Sequence, residues 1–179
     1  MREALPHSVD PRRLAELSRE LVGTLALERL PRLAAVVAPA DPAADYASYR
    51  LRFRRDASGR DLVEGEVAAT LHLRCERCNQ ALALPVASAF TLAVVDGLDE
   101  AAQLPEAYDP LLPEEATLDP AALVEDELLL AVPAAPRHAE GACRAPRYVS
   151  AEQQADDEQA GASADDNPFA VLESLKRRH

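Results

Sequence analysis

The stretch from Val67 to Val95 constrains this chain more than any other, reading VAATLHLRCERCNQALALPVASAFTLAVV. In its first arm Val67, Ala69, Leu71, Leu73 and Cys75 fall at every second position. In its second arm Leu82, Leu84, Val86, Phe90, Leu92 and Val94 do the same. A period of two places each set on one face of a half-buried strand. Between the arms, Cys75-Glu76-Arg77-Cys78-Asn79 is a compact reversal, so the stretch reads as a β-hairpin whose tip is a CxxC knuckle.

The same period extends upstream. Tyr49, Leu51 and Phe53 alternate with Arg50, Arg52 and Arg54, giving a strand with one apolar and one basic face. Asp56-Ala57-Ser58-Gly59-Arg60 is a turn by composition. Residues 48 to 95 therefore read as a three-stranded antiparallel meander. Helices are announced by capping pairs, because Asp is a favoured N-cap and Pro at the first helical position loses no needed hydrogen bond. Asp10-Pro11 opens one helix with Leu14, Leu17 and Leu21 in a stripe and Gly23 as its stop. A short strand is expected from Val22 to Leu27, then a helical turn from Pro31 to Val37 burying Leu33, Val36 and Val37, then a loop with Pro39 and Pro42. Asp96 to Thr117, rich in Pro and acid, reads as a surface connection whose prolines exclude a regular helix or central strand. Asp119-Pro120 opens another helix, with Leu123, Val124, Leu128, Leu130 and Ala131 on a broad apolar face and Pro133 as its stop.

These elements sum to an α+β fold: an antiparallel β-sheet, open or curled toward a barrel, packed with a few short helices. With aromatics at 4% and no Trp, its core must be built mainly from aliphatic side chains. One domain is expected over 1–149. Residues 150–166 have almost nothing to bury and read as a disordered acidic linker. Residues 167–179 carry a third cap-plus-proline pair, Asn167-Pro168, and the stripe Phe169, Val171, Leu172 and Leu175 before Lys176-Arg177-Arg178, the signature of an amphipathic helix. Such a helix, marginal alone in water, must dock on its own domain or on a partner.

Charge narrows the partners. Residues 96–166 hold 18 acidic and 3 basic groups, whereas residues 1–95 are nearly balanced at 12 and 13. The acidic middle repels polyanions and favours a basic protein partner. The sequence leaves open a different use of Arg50, Arg52, Arg54, Arg74 and Arg77 as an RNA-contacting set, against the plainer alternative of a solvated sheet face. No apolar signal segment or membrane-length apolar run is present, and a cytoplasmic location is expected.

Cys75 and Cys78 are joined by a second pair, His138 and Cys143, about 60 residues later. Both spacings allow two ligands to reach one tetrahedral ion, and three thiolates with one imidazole form a known structural zinc set. A thiol redox pair is the competing reading, but that chemistry places CxxC at a helix N-terminus, and here an alternating strand follows. A third reading leaves the cysteines without a joint role. No hydrolytic triad, phosphate loop or dinucleotide fingerprint occurs, so a non-catalytic binding or assembly role is expected.

Several segments together resemble the YceD family: LHLRCERCNQALALPV, LPEAYDPL, LDPAALVEDELLLAVPAAPRH with the following Cys143, and NPFAVLESLKRRH. They cover the second half of the chain well and the first half only by general pattern. The resemblance implies a role in accumulation of the large-subunit (23S) ribosomal RNA and in large-subunit assembly. It also implies that Cys75, Cys78, His138 and Cys143 are recurrent Cys/His positions, Glu125, Asp126 and Glu127 an acidic helix start, and Asn167, Pro168 and Phe169 a tail motif. Joined with the charge argument, it yields the expectation that Glu125, Asp126, Glu127, Asn167, Pro168, Phe169 and Leu172 contact a basic large-subunit ribosomal protein or assembly factor.

Overall fold

Alternation decides the architecture. The computed structural model describes residues 5–37, 46–113 and 115–146. Its centre is three long antiparallel strands, β2 (Tyr46–Arg55), β3 (Asp61–Arg74) and β4 (Ala81–Val94). The register sets Leu51 against Gly65 and Gly65 against Phe90, so the inward residues of all three strands share one face. The turn between β2 and β3 is closed by the Asp56 carboxylate, which accepts from the N–H groups of Ser58 and Arg60. Gly59 supplies the positive φ of 85° that this turn requires.

Two strands flank the meander. β1 (Glu20–Ala26) pairs antiparallel with β2, and β5 (Asp109–Leu111) pairs parallel with β4, giving the order β1-β2-β3-β4-β5. The sheet is mixed and open, so the barrel alternative is not realised, and the α+β class is. The connection from Asp96 to Thr117 is also more structured than expected. It contains β5 and a short helix α3 (Leu98–Ala101), and Pro110 is tolerated because β5 is an edge strand.

Helix α1 (Pro11–Glu16) starts as its cap predicts, with the Asp10 carboxylate accepting from Arg13 N–H at 3.0 Å. It ends earlier than the leucine spacing implied. Ser18 takes a left-handed φ of 47° and Arg19 N–H reaches back to Leu14 O, which closes the helix. Leu17 is consequently 60% exposed, and Leu21 belongs to β1. Gly23, expected to stop the helix, lies inside β1, where a Cβ would meet the Tyr49 hydroxyl at 2.6 Å. Gly65 has the same relation to Phe90, whose ring would lie 1.9 Å from an added Cβ. In both places an aromatic ring on the neighbouring strand covers the glycine.

Two further helices sit over the inward face. α2 (Pro31–Ala34) buries Leu33, but Val36 is 53% exposed, contrary to expectation. α4 (Pro120–Ala131) is capped by Asp119, whose carboxylate accepts from Ala121 N–H at 2.8 Å. It packs against β3, β4 and α2 through Leu123, Val124 and Leu128. Leu130, assigned to that face from sequence, is 79% exposed. Three consecutive leucines step by 100° each and cannot all point inward. The core that results is aliphatic, with Phe53 its largest fully buried side chain among the leucines and valines of sheet and helices. Each such leucine or valine contributes roughly 1.5–3 kcal/mol by leaving water.

All these elements belong to a unit that runs to Arg144. The proline loop at 38–45, the linker at 150–166 and the helix at 167–179, with Asn167, Pro168, Phe169 and Leu172, lie outside the described residues. No helix among the described residues is long and apolar enough to cross a membrane.

Candidate metal centre

At the tip of the β3–β4 hairpin the chain reverses within six residues. Cys75 N–H donates to Gln80 O at 2.9 Å and Asn79 N–H to Cys75 O at 2.8 Å. The reversal needs one left-handed residue, and Asn79, with φ 58°, supplies it. This turn brings the Cys75 and Cys78 side chains to one side. After α4, the chain runs back along the hairpin, held by Glu76 N–H donating to Pro136 O at 2.8 Å. His138 and Cys143 arrive beside the two thiols in this way.

The ligand atoms of Cys75, Cys78, His138 and Cys143 all lie within 4.8 Å of one another. A tetrahedral ion with bonds of about 2.3 Å to sulfur and about 2.0 Å to nitrogen separates two sulfurs by about 3.8 Å and a sulfur from a nitrogen by about 3.5 Å. The Sγ atoms of Cys75 and Cys143 are 3.8 Å apart, and Cys78 Sγ is 3.5 Å from His138 Nδ1. These two pairs therefore already have the separation that a tetrahedral ion requires, and every other pair of ligand atoms is within 4.8 Å.

The surroundings prepare the donors for that use. His138 Nε2 lies 3.0 Å from the Ala81 carbonyl. A carbonyl can only accept, so Nε2 carries the proton and Nδ1 offers its lone pair to the thiols' common centre. Burial opposes ionisation of Cys75, but the backbone N–H groups of His138, Cys78 and Arg77, with the Cys78 side chain, outweigh it and lower the thiol from 9.0 to about 5. Cys143 moves the other way, raised by burial and then by the thiols of Cys78 and Cys75. Three thiols so close resist joint ionisation unless a cation lies between them. Arg77 supplies positive charge at the rim, its guanidinium 3.8 Å from Cys143 Sγ. The donor set and its spacing fit a divalent ion.

The other residues singled out from sequence fall elsewhere. Arg50, Arg52 and Arg54 stand in a row on the outward face of β2, but that row is answered by three glutamates. Glu20 lies 3.0 Å from Arg50 and 3.5 Å from Arg52, and Glu64 lies 2.6 Å from Arg54 and 3.9 Å from Arg52. Glu66 adds a contact of 3.8 Å to Arg50. This ladder was readable in principle, since the turn at 56–60 fixes a register with Arg52 opposite Glu64 and Arg50 opposite Glu66. Arg74 binds the carbonyl and side chain of Asn79 within the knuckle.

Glu125, Asp126 and Glu127 have three different surroundings. Glu125 is buried, and its carboxylate accepts from Arg32 N–H at 2.7 Å, Leu33 N–H at 3.1 Å and Arg32 Nε at 2.9 Å. It caps the start of α2 across the core, so it is turned inward and not toward a partner. Asp126 pairs with the same arginine. Glu127 accepts from Ser88 Oγ at 2.9 Å, and its carboxyl is raised, mainly by burial, with Asp109 and Asp126 adding to the effect against the Ser88 hydroxyl.

Comparison with known proteins gives a consistent result. A family model described as "Large ribosomal RNA subunit accumulation protein YceD" matches residues 63–176. A protein of that name from Haemophilus influenzae is 35% identical over 180 residues, covering 97% of this chain and 97% of the relative. No solved structure matches.

Proposed function

The chain belongs to the YceD family, and from that premise we propose that it supports accumulation of the large-subunit ribosomal RNA as a zinc-stapled, non-catalytic protein that holds a basic ribosomal protein or assembly factor during subunit assembly. Zinc is the ion that a set of three thiolates and one imidazole selects, and it would be held by Cys75, Cys78, His138 Nδ1 and Cys143 as a structural staple. When bound, it links the hairpin tip to the segment that follows α4.

The observation that carries a protein partner over RNA is the closed ladder on β2. Three of the five arginines offered for RNA contact, Arg50, Arg52 and Arg54, already face Glu20, Glu64 and Glu66, so this face has little positive charge to release counterions from a phosphate backbone. The surplus of acid lies in residues 96–166. Of the acidic helix residues, Glu127 remains for a partner, with Asn167, Pro168, Phe169 and Leu172 of the tail as further contacts. A thiol redox role has less support, because the CxxC sits on a tight turn and not at a helix N-terminus.

Deleting the gene in its own host and measuring the ratio of 23S to 16S ribosomal RNA tests this reading. The expected result is a specific fall in 23S, rescued by the intact gene, weakly by a Cys75→Ser, Cys78→Ser gene and not by one lacking residues 167–179. A normal ratio both in rich growth and under stress would overturn it.

A further inference from the structure

β4 has fourteen residues, but its outer neighbour β5 covers only Leu92, Ala93 and Val94. Two contacts and one proline reveal which way the remaining backbone groups point. Pro85 has no N–H and so cannot donate one to Thr70, its partner on β3. The Ala81 carbonyl faces His138 Nε2, and Val95 N–H donates to Leu111 O at 2.9 Å. All three are odd-numbered positions. In an antiparallel ladder the direction alternates residue by residue, so odd residues of β4 turn N–H and C=O away from β3. Ala83, Ala87 and Ala89 thus direct both groups to the free side of the sheet, and among the described residues no hydrogen bond reaches them.

Natural sheets guard such edges with charge, bulges or proline. From Ala81 to Thr91 the sequence ALALPVASAFT has no charged residue, and Pro85 is its sole guard. Among the described residues the lane in line with β5 is left open, because the chain turns off just before Asp109, where Tyr108 N–H donates to Pro105 O at 3.0 Å. A groove of about 680 Å³ lies there, lined by Ser88, Ala89, Phe90, Asp109, Glu127 and Leu130. Two of its acidic side chains, Glu127 and Asp109, lack the compensation that Glu64 and Glu66 find in the arginines of β2. No ion pair among the described residues engages Glu127 or Asp109, whereas Arg50 and Arg52 on the far rim are already matched by glutamates. Leu130, turned away from the core, stands beside the two carboxylates.

We propose that the free edge of β4 from Ala83 to Ala89 receives an extended segment of a basic partner protein as an added strand. A cationic side chain of that segment is set against Glu127 and Asp109, and an apolar one against Leu130. Backbone N–H and C=O groups at strand spacing recognise another backbone, and the carboxylates repel phosphate, which selects a peptide over RNA. Seven residues of edge span about 23 Å, enough to fix one short segment. This deepens the function proposed above and rests on its basic protein partner.

The test uses the full-length, zinc-loaded protein and a blocked eight-residue peptide that alternates valine and threonine around two arginines. Hydrogen exchange should slow at the amides of Ala83, Ala87 and Ala89 on adding the peptide and stay unchanged at Leu82 and Val86, which already face β3. Glu127→Gln, which keeps the bond to Ser88, should weaken binding about ten-fold, equivalent to about 1.4 kcal/mol. Replacing the peptide's arginines with glutamate should abolish binding. Ala87→Pro, which removes one outward N–H and leaves the β3 ladder intact, should also weaken it. If that variant fails to fold, the exchange pattern in the unaltered protein still decides. Binding without protection at these alanines overturns the proposal. So does protection that grows with protein concentration in the absence of peptide, which assigns the edge to a second copy of the chain. A normal 23S ratio after gene deletion would remove the assembly role and leave the edge result standing, so the two failures are distinguishable.

Discussion

The body of the sheet and the tip of its central hairpin are held in different ways. In the body, Leu51, Phe53, Val63, Leu71, Val124 and Leu128 are fully withdrawn from water within one continuous core. At the tip, among the described residues, only Cys75, Cys78 and Leu82 are buried together, with Leu84 and Cys143 packed partly against them. So little apolar carbon cannot by itself order a reversal and the returning segment against chain entropy. The four Cys/His side chains stand where the apolar side chains run out, and an ion held by them would supply there the stability that burial supplies in the body.

That contrast is open to direct attack. Chelation, or Cys78→Ser, is expected to have the largest effect of any change considered, since structural zinc contributes on the order of 10 kcal/mol in model peptides. The bound metal should fall from one ion per chain, and protection should vanish at the amides of Glu76 and Asn79, which bond to Pro136 O and Cys75 O. Amides of Leu51 and Phe53, deep in the body, should keep theirs. Simultaneous opening of both sets would mean that tip and body are one cooperative unit, and the comparison would fail.

A change confined to the body sharpens the contrast from the other side. Glu125→Ala orphans two backbone N–H groups at the start of α2 and leaves Arg32 without its buried partner. Thermal or denaturant unfolding should register a loss of about 2–3 kcal/mol, the scale of leaving buried backbone N–H groups without an acceptor. Glu125→Gln, still an acceptor, should recover part of this. Zinc content should stay at the parent level in both variants, because no ligand depends on α2.

What could be read from sequence follows from how local each signal is. Alternation along β2, β3 and β4, the Asp-Pro caps of α1 and α4 and the two Cys/His pairs are all local patterns, and the structure contains each of them. β5 has only three residues, one of them Pro110, and is a strand only because β4 lies beside it. The inward turn of Glu125 was hidden because acid near a helix start already has a sufficient local explanation in the dipole. Nothing local tells that α2, more than 90 residues upstream, brings two unpaired N–H groups to that carboxylate. Leu17 and Val36 were misplaced for a related reason. Spacing identifies a face only while the helix lasts, and both residues fall just beyond a helix end.

The smallest effect is predicted for the outward face of β2, where sequence alone suggested a binding strip. Removing Arg52 leaves Glu20 paired with Arg50 at 3.0 Å and Glu64 paired with Arg54 at 2.6 Å, so the ladder closes around the gap. Exposed pairs of this kind are worth about 0.2–1 kcal/mol, and Arg52→Ala should shift stability by no more than that. The same variant tests the function of the face. A protein that reads RNA through these arginines should lose affinity and show a shallower dependence on salt by about one unit of slope per phosphate contact removed. For a ladder engaged with its own glutamates, both quantities should remain at their parent values. The arginines on β2 would then belong with the body of the sheet, held by neighbours within the chain, and binding to a partner would fall to the uncompensated carboxylates at the β4 edge.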